Sequence, residues 1–259
     1  MTPDANLGPN LDLNHLCTAV NCSVGRPPED PDFDRARALG IDRIELWWPW
    51  TTPEPTDTQV DDLVEELKRR ELTLVALNFW GGDLDFGERG VLHREPLSRR
   101  HLDAHARLAG RTGAELFNLL VGRDGRTVTD TQRERVAAVA GSVTGRHLGT
   151  VLIEPSRSPE PGPTDYPVQT IAEAYGIIDD IPGTGLLADL WHLAGTVGEE
   201  GVTSWLQDLR WNGRLPAHVQ LADDPGRGAP ETGILPLDAW LCDLEAVGYT
   251  GEVAGEWMW

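Results

Sequence analysis

The runs TVLIEP (150–155), GLLADL (185–190), AHVQLA (217–222) and EVAGEW (252–257) decide the fold of this chain. Each is short, apolar and of strand length. Four similar runs precede them: LCTAVN (16–21), RIELWW (43–48), TLVALNF (73–79) and ELFNLLV (115–121). Stretches with helical spacing lie between the eight runs. DFDRARALG (32–40) ends on a Gly stop, and TDTQVDDLVEELKRR (56–70) opens on Thr and Asp, both good N-caps. Residues 97–110, 130–148, 166–181, 203–211 and 237–248 complete the set. Strands alternating with helices specify a parallel sheet with helical crossovers, and eight such units predict a (β/α)8 TIM barrel.

The chain has 259 residues, enough for one barrel, so residues 1–259 are expected to form a single domain. The Pro-rich segment SRSPEPGPTDYP (156–167) is too short to divide it and reads as a loop over the barrel mouth. The sequence stops at Trp259, directly after the eighth apolar run, so the barrel is expected to lack its eighth helix. Residues 1–15 could cover part of that gap. The open seam also makes a homo-oligomer an expectation.

Composition excludes several classes of function. Net charge is −20, and so acidic a surface repels phosphate backbones, which argues against a nucleic-acid partner. No run is long and apolar enough for a membrane, and residues 1–15 carry no basic-then-apolar leader, so a cytoplasmic location is expected. Cys17, Cys22 and Cys242 have no metal-binding or disulfide spacing. Lys68, the one lysine, sits on a charged helix, whereas a Schiff-base aldolase needs a lysine on a buried strand.

The last four runs end on side chains able to hold a metal: Glu154, Asp189, Gln220 and Glu256. They are separated by 35, 31 and 36 residues. One βα unit takes roughly 30 residues, so all four reach the C-terminal rim, where barrel enzymes keep their active sites. Three carboxylates that close together repel one another, and a divalent cation resolves the conflict. Oxygen donors suit Mg²⁺ or Mn²⁺ better than Zn²⁺. The bland alternative is that these are ordinary polar residues at strand ends.

The segments NFWGGDLDFGERG (78–90), FNLLVGR (117–123), LIEP (152–155), LLADLWH (186–192), HVQLADDPGRGAPETG (218–233) and GYTGEVAGE (248–256) resemble the xylose isomerase-like barrels. Within that family the resemblance is strongest to the hydroxypyruvate isomerase branch. It implies that Glu154, Asp189, Gln220 and Glu256 are the metal ligands. A glutamine at position 220, where sugar epimerases usually carry histidine, points to the same branch. It further implies an aldose–ketose type isomerisation of a small carbohydrate or hydroxy-carbonyl compound through an enediolate. Glu154 and Glu256, on strands five and eight, would be the base and acid.

Other residues are candidates for substrate binding. His192 either hydrogen-bonds a substrate oxygen or orients a ligand. Arg227 either clamps a substrate carboxylate or is a surface loop residue. Glu88 and Arg89 lie where the family places a loop over the site, or pair with each other. Trp80 and Trp257, with Trp47, Trp48 and Trp50, form an aromatic rim that suits a sugar face or fills space. His218 reads as a core histidine. The same site could serve an epimerase or a metal-assisted lyase or dehydratase, and a non-catalytic sugar- or partner-binding barrel is a further reading.

Overall fold

A computed structural model describes residues 16–84, 86–157 and 166–259. The expected cover from residues 1–15 and most of the Pro-rich loop lie outside these. The strands are β1 (Ala19–Asn21), β2 (Arg43–Leu46), β3 (Thr73–Asn78), β4 (Leu116–Asn118), β5 (Thr150–Ile153), β6 (Thr184–Asp189), β7 (His218–Leu221) and β8 (Val253–Gly255). They form one closed parallel barrel in sequence order, and β1 closes on β8 with Ala19 opposite Ala254.

Seven helices surround the barrel among the described residues: α1 (Asp34–Leu39), α2 (Asp57–Arg69), α3 (Arg99–Thr112), α4 (Asp130–Gly145), α5 (Ile171–Ile178), α6 (Leu190–Asn212) and α7 (Leu237–Ala246). Their starts follow from side-chain chemistry. Thr56, Thr129 and Thr170 each accept from the backbone three residues on, and Gln59, Gln132 and Glu173 return the bond, which satisfies otherwise orphaned N–H groups. Val60, Val64 and Leu67 give α2 its buried stripe, while Lys68 pairs with Glu65 on the exposed face. No helix is long and apolar enough to cross a membrane among the described residues.

Sequence spacing places a helix at 203–211, but α6 starts thirteen residues earlier, at Leu190. Asp189 is its N-cap, accepting from the N–H groups of Trp191 and His192 at 2.9 and 3.1 Å. The helix kinks at Gly198, whose φ is 75°. Glycines at 195, 198 and 201 interrupt the periodic pattern, which hides the first half of the helix in the sequence. His192 therefore sits on the first turn of a helix.

Among the described residues no helix follows β8. The tail turns back instead: the Met258 N–H donates to the Arg227 carbonyl at 2.8 Å, and Trp257 stacks on Trp259 with ring centroids 5.3 Å apart. Arg35 of α1 lies over Trp259.

The cap of α4 gives a test of these local rules. Thr129 orients Gln132, which is buried and donates to the Val121 carbonyl in the loop after β4. Thr129→Ala is expected to cost about 1 kcal/mol of stability in urea unfolding. An unchanged midpoint would contradict the capping account.

Candidate active site

Strands β5 to β8 deliver their polar residues to one rim. Glu154 follows β5, Asp189 ends β6, Gln220 lies within β7 and Glu256 follows β8. Asp189 and Gln220 are directly opposite in register, and the Glu256 N–H donates to the Leu221 carbonyl. All four side chains are buried. Arg227 joins two of them: its Nη2 donates to Asp189 Oδ2 at 2.8 Å and to Glu256 Oε2 at 2.6 Å, and its Nε to the Glu256 carbonyl at 2.8 Å.

The loop after β7 is built to place that guanidinium. Arg227 has φ 58°, an uncommon conformation for a residue with a Cβ, so the surrounding loop has to impose it. Asp223, buried, is the anchor. It accepts from the N–H groups of Gly233 and Leu235 at 2.8 and 2.9 Å, and its backbone pairs with Gly228.

His192 faces the same carboxylates. Its Nδ1 accepts the Arg157 backbone N–H at 3.2 Å, which leaves the ring proton on Nε2. Nε2 lies 3.3 Å from Ser156 Oγ, 3.7 Å from Glu154 Oε1 and 3.9 Å from Asp189 Oδ2. Burial drives its pKa down to about 3, so the ring is neutral at physiological pH. A neutral ring with its proton on Nε2 is a hydrogen-bond donor toward the cavity.

Gln220 turns toward a second layer. Its Nε2 donates to Glu45 Oε2 at 2.8 Å, while its Oε1 is buried with no partner. Glu45, on β2, also pairs with His218, so this histidine is a buried core residue with a carboxylate partner. Asn21 bridges the layers, donating to Glu256 Oε1 at 3.0 Å and to Glu45 Oε2 at 3.4 Å. Asn118 donates to Glu154 Oε2 at 2.6 Å, and Trp47 Nε1 to Glu256 Oε1 at 2.7 Å. Sequence reasoning missed Glu45, Asn21, Asn118 and Asp223. A signal existed: β1, β3 and β4 all end on asparagine, at the height where the later strands carry acids, and Glu45 is a lone acid inside an apolar run.

A cavity of about 410 Å³ opens on this rim, lined in part by Glu154, Glu256, His192, Arg227, Arg157 and Arg89. A second cavity of about 340 Å³ shares Trp47, Asn78, Leu84 and Leu120 with it. Trp80 and Glu88 line this second cavity rather than the first. Glu88 does not pair with Arg89: it binds Arg94 and accepts the Asp83 N–H at 2.6 Å. Trp257 lines neither cavity. It is buried against Gly255, where a Cβ would lie 2.0 Å from its ring, and so acts as packing.

The electrostatics follow from burial. Burial and the neighbouring Asp189 push Glu154 up to about 7. Burial lifts Glu256 well above the carboxylate range, with Arg227 opposing. Burial also raises Asp189, but His192, Arg227 and two backbone amides outweigh it and hold this group low. Among the described residues no guanidinium hydrogen-bonds to Glu154. The rim thus carries more buried negative charge than its hydrogen-bonded cation offsets. Carboxylate oxygens of Glu154 and Asp189 and a ring nitrogen of His192 lie within 4.8 Å of one another. With His192 as a donor, the carboxylate oxygens and the unpartnered Gln220 oxygen are the atoms that fit a hard divalent cation.

A sequence model of the xylose isomerase-like TIM barrel family matches residues 33–258. A Streptomyces coelicolor protein, provisionally named a hydroxypyruvate isomerase, is 32% identical over 237 residues, covering 86% of this chain and 82% of its own. The hydroxypyruvate isomerase of Escherichia coli is 26% identical over 238 residues, covering 87% and 86%. The crystal structure of a family 2 AP endonuclease from Brucella melitensis superposes with a TM-score of 0.76 at 27% identity, covering 93% of each chain. Fold, segment order and rim chemistry agree with the family match over most of the sequence: the chain belongs to the xylose isomerase-like TIM barrel family.

Proposed function

We propose that this protein is a metal-dependent isomerase, similar to hydroxypyruvate isomerase, that moves a proton between adjacent carbons of a hydroxy-carbonyl compound through an enediolate. The observation that carries the reading is the rim itself: Glu154 and Glu256 line one cavity with His192 and Arg227, and Asp189 is tied to Glu256 through that arginine. The isomerase names of the Streptomyces coelicolor and Escherichia coli relatives support it. An endonuclease reading, suggested by the name of the Brucella melitensis structure, sits poorly with a net charge of −20.

Glu154, Asp189, Gln220 and Glu256 would hold Mg²⁺ or Mn²⁺. When bound, the cation polarises the substrate carbonyl and stabilises the negative charge that builds on its oxygen. The chain's own groups do the rest. Glu154 Oε2 is held by Asn118, but its Oε1 has no hydrogen bond among the described residues, so this oxygen takes the carbon-bound proton. Both Glu256 oxygens accept hydrogen bonds, from Asn21, Trp47 and Arg227, which fix it as the second carboxylate of the pair. The His192 Nε2–H donates to a substrate oxygen and steadies it while the proton moves. Leu120, Trp47 and Trp191 wall the cavity and limit water.

Two outcomes are expected. In D₂O with Mn²⁺ and hydroxypyruvate, the wild type incorporates deuterium at carbon, and Glu154→Gln slows this by a factor of about 10³. Equal exchange by the two proteins would remove Glu154 from the chemistry. The second concerns pH. With Glu154 held near 7, a cation must displace its proton below that pH. Apparent Mn²⁺ affinity is therefore expected to rise between about pH 6 and 8, with protons released on binding at the lower pH. Calorimetry in buffers of different ionisation heat checks this, and a flat affinity with no proton release would contradict it.

A further inference from the structure

Three arginines line the 410 Å³ cavity, and the structure commits two of them. Arg227 uses Nε and Nη2 on Asp189 and Glu256, and its Nη1 lies 3.4 Å from His192. Arg157 lies flat on the Trp191 ring, 3.1 Å from the centroid, donates Nη2 to the Trp191 carbonyl at 2.9 Å and pairs with Asp224 at 3.6 Å, although its Nε is buried without a partner. Its other face is walled by Gly195, where a Cβ would fall 2.5 Å from the guanidinium carbon.

Arg89 is different. Only its Nη1 is used, on the Glu88 carbonyl at 2.7 Å and the Leu84 carbonyl at 3.4 Å. Its Nε and Nη2 donate to no described residue, and no described carboxylate pairs with it. Burial lowers its pKa, with the more distant Glu154 opposing. A partly buried guanidinium with an open pair of donors is shaped to receive a carboxylate through two parallel bonds.

The backbone next to Arg89 is tied down by hydrogen bonds. The Gly90 N–H donates to the Gly81 carbonyl at 2.8 Å, and the Gly122 N–H to the Arg89 carbonyl at 2.8 Å. Gly90 has φ 89°, and a Cβ there would lie 1.9 Å from the Leu120 carbonyl oxygen. The backbone on either side of Arg89 is thus fixed before any ligand arrives, which preorganises the side chain.

We propose that Arg89 is the receptor for the carboxylate of the hydroxy-oxo acid that the isomerase reading implies. This deepens the isomerase reading and takes the reaction from it. It also moves the carboxylate-binding role from Arg227, where sequence reasoning puts it, to the one cavity arginine that pairs with no described carboxylate.

The test compares hydroxypyruvate with dihydroxyacetone, which carries a hydroxymethyl group in place of the carboxylate, in the presence of Mn²⁺. Arg89→Gln is expected to raise KM for hydroxypyruvate by a factor of about 30 with much less change in kcat, and to impair dihydroxyacetone at least about tenfold less. Arg89→Lys keeps the charge but not the fork and is expected to fall between. Glycerate, which has a hydroxyl in place of the ketone and cannot undergo the isomerisation, reports the binding step alone by calorimetry. Its affinity is expected to drop in Arg89→Gln by the same factor. If neither carbonyl compound reacts while glycerate binding still depends on Arg89, the isomerase reading fails and the receptor stands. Equal losses on the acid and the neutral compound, or glycerate binding indifferent to Arg89, would overturn the proposal.

Discussion

Burying several carboxylates side by side is the constraint around which this barrel is arranged. Glu154, Asp189 and Glu256 sit at one rim, with Glu45 in the layer they adjoin, all at most 6% exposed. Ionised carboxylates taken out of water cost several kcal/mol each unless they are paired or hydrogen-bonded. The chain answers with directed donors: two backbone amides on Asp189, Asn118 on Glu154, Asn21 and Trp47 on Glu256, and Gln220 with His218 on Glu45. Arg227 then ties Asp189 to Glu256.

Much of the neighbouring architecture serves that arrangement. α6 starts at Leu190 because Asp189 caps it, so the same carboxylate ends a strand, opens a helix and accepts from Arg227. The loop after β7 holds Arg227 in a left-handed conformation and is itself held by Asp223. The tail after Glu256 returns to bond the Arg227 carbonyl. Preorganised groups of this kind need not rearrange as charge develops during a reaction.

The barrel was legible in the sequence because strand and helix periodicity repeats eight times. The strand-end acids were legible because their spacing matches one βα unit. What escaped were features that depend on geometry across the barrel. Periodicity could not find the start of α6, since glycines at 195, 198 and 201 break the pattern. Nothing local says that Glu88 prefers Arg94 to Arg89, or that Trp257 packs on Gly255 rather than lining a cavity. Glu45 and the strand-end asparagines carry no motif, and their role emerges only when non-adjacent strands meet. Arg227 was visible, but its commitment to Asp189 and Glu256 depends on a loop conformation that composition does not specify.

The central claim is that this buried acidic rim is a cation site. Anomalous scattering from a crystal of the protein grown with Mn²⁺ tests it most directly. One strong manganese peak within bonding distance of Glu154, Asp189, Glu256 and the Gln220 carbonyl oxygen is the result the account predicts. A rim with no peak at saturating Mn²⁺, with its carboxylates still held by Arg227, would contradict it.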